Sequence, residues 1–107
     1  MKALLINGSP HEKGCTYTAL AELAKALAAE GIEAEIVQAG KTNISCNACG
    51  VCKKTNRCVH DDLVNEVAQK FNEADALVIG SPVYYASPAG GAISFMDRLF
   101  FSTPWIN

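Results

Sequence analysis

Four cysteines stand close together in the middle of the chain, and their spacing is the strongest chemical signal in the sequence. They form the pattern Cys46-x2-Cys49-x2-Cys52-x5-Cys58. Three thiols in a short run with a fourth close behind resemble iron–sulfur ligation more than the two separated cysteine pairs of a zinc ribbon. The spacing therefore predicts a metal site, and a four-iron four-sulfur cluster is the first interpretation.

Other interpretations of these cysteines stay open. The thiolates could hold zinc, or they could be free or redox-active thiols. A structural disulfide is the least expected, because nothing in the sequence indicates export and the total of five cysteines is odd.

A second stretch that could do chemistry runs over residues 7–18, between a short apolar run and an amphipathic helix. Backbone N–H groups and the positive end of the helix dipole meet in such a loop, and its hydroxyl side chains add donors, so we expect an anion cradle. The loop lacks the lysine of a triphosphate loop and the three-glycine spacing of a dinucleotide loop. A single terminal phosphate, as in flavin mononucleotide (FMN), fits better. The alternative is an ordinary turn with Ser or Thr at the helix start.

Composition narrows the classes of partner and the compartment. Charged residues make up 19% of the chain and the formal net charge is −2, so no basic patch for nucleic acid is expected. The apolar runs are shorter than the roughly 18 residues that span a bilayer, and the first residues lead straight into a strand instead of a signal sequence. We therefore expect a cytoplasmic protein with no nucleic-acid or membrane partner.

The order of predicted elements indicates an α/β fold in one domain over residues 1–107. The elements are a strand at Ala3–Ile6, a helix with Leu20, Leu23, Ala24 and Leu27 on one face, a strand at Ile32–Val37, a cysteine-rich loop over residues 41–60, a helix opened by Asp61 and Asp62, a strand at Ala76–Gly80, and a helix with Ser87 and Pro88 as N-cap and first residue. Such alternation predicts a doubly wound parallel sheet. Ligands bind beyond the carboxyl ends of its strands, so the loops over residues 9–18 and 81–87 are expected to meet there.

Three motifs in the right order carry a family resemblance. They are Asn7-Gly8-Ser9-Pro10 followed by Gly14-Cys15-Thr16, then Gly80-Ser81-Pro82-Val83-Tyr84-Tyr85, and Met96-Asp97-Arg98-Leu99 on the last helix. Together they resemble the NADPH-dependent FMN reductase group of flavodoxin-like proteins. The cysteine pattern is similar to that of the iron–sulfur flavoprotein branch and its cluster-less relatives. The resemblance implies a flavodoxin-like sheet of which three of the usual five strands are visible, in the order 2-1-3.

The resemblance also implies FMN as the cofactor and assigns residues to its site. The phosphate loop would comprise Ser9, Pro10, Cys15, Thr16, Tyr17 and Thr18, and the isoalloxazine ring would lie along Pro82, Val83, Tyr84 and Tyr85. The residue types agree, because backbone groups of a tight loop can hydrogen-bond the polar edge of a flavin and tyrosine rings offer flat apolar surface. The alternative for the two tyrosines is plain packing at a strand end.

The remaining polar candidates receive no catalytic role. Cys15 is interpreted as a small loop residue and not as a nucleophile. His11 is expected to be exposed, and His60 could ligate a metal, although Cys58 already completes a set of four. Asp97 and Arg98 are interpreted as a solvated or interfacial charge pair.

The implied function is an FMN-dependent oxidoreductase that takes reducing equivalents from NAD(P)H or a reduced ferredoxin. A non-enzymatic flavin or iron–sulfur electron carrier and an inactive truncated form are the alternatives. Since only three strands are visible, the third strand would be an exposed apolar edge, which is an association hazard. We therefore predict that the chain is either a fragment of a longer protein or depends on a partner subunit, as in a homo-oligomer.

Overall fold

The sheet that positions the candidate site has three parallel strands. The structure is a computed structural model that describes residues 1–42 and 44–103; the predicted domain of residues 1–107 also includes Asn43 and residues 104–107, which lie outside the described residues. The elements are β1 (Lys2–Asn7), α1 (Cys15–Ala29), β2 (Glu33–Gln38), α2 (Cys52–Thr55), α3 (Leu63–Glu73), β3 (Ala76–Gly80), β4 (Val83–Tyr84), β5 (Ser87–Pro88) and α4 (Gly90–Ser102). The parallel strands have the order β2-β1-β3, which confirms the flavodoxin-like α/β fold.

Alternating side chains of β1 divide the core into two layers. Leu4 and Ile6 pack on one face of the sheet with residues of α3 and α4. Ala3 and Leu5 pack on the other face with α1, through Leu20. A strand covered on both faces needs apolar residues at successive positions, which explains the continuous apolar run.

The ends of two helices follow from local sequence signals. Gly31, just beyond α1, has φ +77°, a left-handed conformation that glycine adopts at little cost. At the start of α3 the Asp62 carboxylate accepts a hydrogen bond from the Val64 N–H at 3.1 Å. Both ends lie where the sequence predicts them.

The start of the last helix is a correction. Ser87 and Pro88 form β5, which pairs antiparallel with β4, and α4 begins only at Gly90. The Ser-Pro signature suits an N-cap, but the turn at Tyr85 reverses the chain and uses these residues in a hairpin. The later start places Gly91 in the first turn of α4, where it packs against Gly40.

The rest of the described chain agrees with the coarse prediction. The loop over residues 41–60 contains the single helical turn α2. Strand β3 lies at one edge of the parallel sheet, and four of its five residues are half-buried. Within residues 1–42 and 44–103, every helix is too short or too polar to cross a membrane.

Candidate functional site: a glycine-lined loop cluster and a cysteine pocket

At the carboxyl end of the sheet, glycines allow the backbones of neighbouring loops to pack very closely. A Cβ added to Gly40 would lie 2.0 Å from the Ser9 carbonyl oxygen, and one added to Gly91 would lie 2.3 Å from the Gly40 oxygen. The Gly8 N–H donates to the Gly80 carbonyl at 2.7 Å, which joins the loops after β1 and β3. These two loops and the start of α4 therefore meet at the carboxyl end of the sheet, where the topology predicts a ligand.

Asn7, which the sequence analysis placed in a motif but to which it gave no role, organises the loop after β1. Its buried side-chain amide donates to the Glu12 carbonyl at 3.1 Å, and its side-chain oxygen accepts from the Ser9 N–H at 3.1 Å. Ser9 is buried, and its hydroxyl accepts from the His11 N–H at 3.1 Å and keeps a proton to donate. A polar residue that ends a fully buried strand needs partners, and this signal could have identified Asn7.

The other residues predicted to bind phosphate lie in the loop or the first turn of α1. Pro10, Thr16 and Tyr17 are half-buried, whereas Cys15 and Thr18 are exposed. The Thr18 hydroxyl donates to the Gly14 carbonyl at 3.1 Å and so is already engaged. Gly14 occupies the N-cap position before α1 and offers no side chain to cap the helix, so an anion could take the place of that cap.

The loop after β3 forms an exposed hairpin with strained backbone. Tyr85 (φ 54°) and Ala86 (φ 64°) occupy the turn in the left-handed region, which costs roughly 1–2 kcal/mol per non-glycine residue. Tyr85 and Tyr84 are 104% and 53% exposed, so they pack against little of the described chain. Ser81 ties the hairpin to α4, because its hydroxyl accepts from the Ala89 N–H at 2.9 Å. Such strain is typical of ligand-binding segments.

Replacing Asn7 by alanine is expected to lower the free energy of unfolding by about 1–3 kcal/mol, because the Ser9 N–H loses its partner in a buried site. Chemical denaturation gives the stability, and FMN titration should show weaker binding because the loop loses its shape. Asn72→Ala, at an exposed position of α3, is the control and should change neither. Equal behaviour of the two variants would contradict the organising role of Asn7.

All four clustered cysteines line one pocket between the cysteine loop and α4. Cys52 is buried and Cys58 half-buried, while Cys46 and Cys49 are exposed. Among the described residues no three His, Cys, Asp or Glu side chains converge closely enough to hold one ion. Zinc needs all its ligands within about 2.3 Å of one point, whereas a cluster spreads its thiolates over several irons. Four thiolates are the donor set that a four-iron four-sulfur cluster takes.

The pocket is small as it stands. The space enclosed between the cysteines is about 20 Å³, which is the size of a water molecule. A bound cluster would need more room than this, and Cys52 is the one buried thiol of the four, beside α4. There its thiol lies 3.5 Å from the Phe101 carbonyl.

Arg98 corrects the sequence interpretation of a surface charge pair. Asp97 is exposed, but the Arg98 side chain is 1% exposed and pairs with Asp62 through two hydrogen bonds of 2.8 and 2.9 Å. Helical spacing could have revealed this, since Arg98 falls on the inner face of α4 beside Phe95 and Leu99. A buried guanidinium of this kind requires several acceptors, and Asp62 and the His60 carbonyl are two of them.

The ion pair also predicts a pH dependence. The hydrogen bond from Arg98 holds the pKa of Asp62 below its ordinary value of 3.8; partial burial opposes this effect and the Val64 N–H supports it. Because the folded-state pKa is the lower one, the stabilisation is complete above pH 3.8 and is lost as the pH falls through the folded-state value.

We therefore expect Asp62→Asn to be less stable than the wild type at about pH 6, and the difference to shrink by about pH 3. Urea denaturation across this range measures it. A difference in stability that does not depend on pH would contradict the assignment.

A family profile and several curated relatives match this chain over all or most of its length. The sequence profile of the family described as NADPH-dependent FMN reductase matches residues 1–107. An iron-sulfur flavoprotein of Methanocaldococcus jannaschii is 36% identical over 99 residues, which are 92% of this chain and 51% of that protein. An iron-sulfur flavoprotein of Archaeoglobus fulgidus is 37% identical over 99 residues, 92% of this chain and 48% of that protein. The chain spans about half the length of the curated relatives it matches.

Proposed function

The chain belongs to the NADPH-dependent FMN reductase family, and we propose that it acts as an FMN-dependent oxidoreductase with NAD(P)H as electron donor. The observation that carries this proposal is the meeting of the Asn7-organised loop, the strained hairpin and the start of α4 at the carboxyl end of the sheet. Bound FMN would supply the electron-transfer chemistry, so the chain has to bind it, orient it and tune it.

The residues at the carboxyl end of the sheet suit the two parts of FMN, its phosphate and its isoalloxazine ring. The Ser9 hydroxyl and the uncapped first turn of α1 offer donors for a phosphate. Lys13 adds positive charge beside the loop, with its ammonium 5.4 Å from the centre of the Tyr17 ring. Tyr84 and Tyr85 of the hairpin present exposed rings that a flavin could cover.

We also propose that the cysteine pocket holds a four-iron four-sulfur cluster through Cys46, Cys49, Cys52 and Cys58. The names of the relatives support this, and so does the placement of all four thiols around one pocket. Helix α4 connects the two proposed sites. Gly91 in its first turn packs against Gly40 at the proposed FMN site, and Arg98 lines the cysteine pocket. Arg98 is seven residues after Gly91, about 10 Å further along the helix axis, which suits a protein with two redox centres.

A non-enzymatic electron carrier is the second candidate function. It is favoured by one observation, the exposure of Cys46 and Cys49, which would bring a bound cluster close to a protein donor such as a ferredoxin. We propose a cytoplasmic, reducing environment, in which five free thiols stay reduced, and a homo-oligomeric state.

Anaerobic reduction of the FMN-loaded chain distinguishes the two functions. We expect NADPH to bleach the flavin absorption and to sustain turnover with a soluble acceptor. Reduction by ferredoxin without any reduction by NADPH would favour the carrier. Ser9→Ala should weaken FMN binding about tenfold or more through loss of a hydrogen bond to a charged phosphate, whereas Ser94→Ala on α4 should not. Failure of the wild-type chain to bind FMN would refute the FMN oxidoreductase and leave only a carrier that works through the cysteine pocket.

A further inference from the structure

The contacts of Arg98 extend beyond its ion pair, and from them we propose that Arg98 is the positioning residue of the cysteine pocket. It would hold the segment that carries the thiols in the shape a bound cluster needs, and it would place a buried positive charge beside that cluster. The part that concerns the cluster rests on the proposed function. The positioning role concerns the chain alone.

One guanidinium binds both ends of the cysteine segment to α4. Arg98 donates to the carbonyl of Ile44, before the first cysteine, at 3.4 Å, and to the carbonyl of His60, after the last, at 3.0 Å. Two of its nitrogens, Nε and Nη2, lie 3.5 Å from the Cys58 sulfur. The planar fork of arginine can serve acceptors on several sides at once, which a lysine ammonium cannot reproduce.

Cys58 is fixed from a second direction by α3. The buried Asn65 side chain accepts from the Cys58 N–H at 2.9 Å and donates to the Cys58 carbonyl at 3.0 Å. Asn65 therefore holds the backbone of Cys58, and Arg98 contacts its sulfur. Cys46 is held less firmly than Cys58. In the described part of the chain its sulfur accepts a local hydrogen bond, from the Ala48 N–H at 3.4 Å.

The charge of Arg98 matters as well as its shape. A cluster held by four thiolates is negative, and N–H donors to its sulfurs together with nearby positive charge raise its reduction potential. The carboxylate of Asp62 offsets part of this charge, but its side chain is 39% exposed, whereas Arg98 is buried beside Cys58. Removal of the guanidinium should therefore lower the potential as well as loosen the segment.

The test compares two Arg→Lys substitutions in the full chain. Arg98→Lys keeps a charge but loses the fork, and Arg57→Lys is the matched control, because Arg57 pairs with Asp61 at 2.6 Å on the surface. Hydrogen exchange of the metal-free chain should become about 10-fold to 100-fold faster over residues 44–62 in Arg98→Lys alone, with the protection of β1 unchanged. After anaerobic reconstitution with ferrous iron and sulfide, Arg98→Lys should lose iron to a chelator about 10–100 times faster. Its reduction potential should also be lower, because the two N–H donors to the Cys58 sulfur are lost even though a charge remains.

A second variant guards against misfolding. The double variant Arg98→Gln with Asp62→Asn removes both charges together, so no buried charge is left unpaired, and it should show the same loss of iron retention. Wild-type rates of exchange and iron loss in both Arg98 variants would overturn the proposal. If the wild type takes up no iron, the cluster of the proposed function fails, and local exchange over residues 44–62 still decides whether Arg98 positions the segment.

Discussion

Replacing Gly40 by alanine is expected to lower the free energy of unfolding by about 3 kcal/mol or more and to abolish tight FMN binding. The added Cβ would lie 2.0 Å from the carbonyl oxygen of Ser9 and 2.2 Å from its carbonyl carbon. These are backbone atoms of the predicted phosphate loop, so they cannot move aside as a flexible side chain could. Chemical denaturation and FMN titration of the same preparation measure the two effects.

Two neighbouring glycines of α4 provide a matched control for this prediction. A Cβ on Gly91 would lie 2.3 Å from the Gly40 oxygen, but one on Gly90 would meet nothing within 4 Å. Gly91→Ala should therefore be destabilising, whereas Gly90→Ala should be neutral or stabilising by up to about 1 kcal/mol, because alanine favours a helix. If Gly40→Ala and Gly91→Ala match Gly90→Ala in stability and FMN affinity, the close packing of the loops does not shape the site.

Replacing Cys52 by serine is expected to reduce the iron content of the reconstituted chain from about four atoms to close to none. Cys52 is the buried thiol of the pocket, and a serine hydroxyl, although similar in size, is a poor ligand for iron. Iron and acid-labile sulfide per chain, with the visible spectrum, are the measurements.

Cys15→Ser is the control for this substitution. Cys15 lies exposed in the first turn of α1, outside the cysteine pocket, so its replacement should leave the iron content unchanged. Full iron content in the Cys52 variant, or equal losses in the two variants, would show that the iron is not held by the pocket.

The elements that sequence could predict are those whose signal is local. The apolar run of β1 and the helical spacing of α1 were sufficient, and Asp62 marked the start of α3 because its capping bond spans two residues. The helix start predicted at Ser87 and Pro88 was wrong, because the same dipeptide suits both a helix start and a hairpin strand. Only the turn at Tyr85, which puts a bulky residue in the left-handed region, decides between them.

The site was less accessible to sequence because its geometry depends on contacts between distant segments. Gly40 has no local role that reveals it, and its importance arises where it packs against Ser9 and Gly91. Arg98 was judged by its charge, although its position on the inner face of α4 indicated burial. The cysteine spacing identified the candidate thiols. Arg98, the cation that contacts Cys58, is 40 residues further along the chain, so no local pattern connects the two.

The most direct test of the proposed function is the absorption spectrum of the anaerobically purified chain, with its FMN and iron content. We predict flavin bands with a broad iron–sulfur shoulder, and about one FMN and about four irons per chain. Flavin without iron would retain the FMN oxidoreductase and remove the cluster from the cysteine pocket. No flavin, even after excess FMN is added, would contradict the proposal that the loops at the carboxyl end of this sheet form an FMN site.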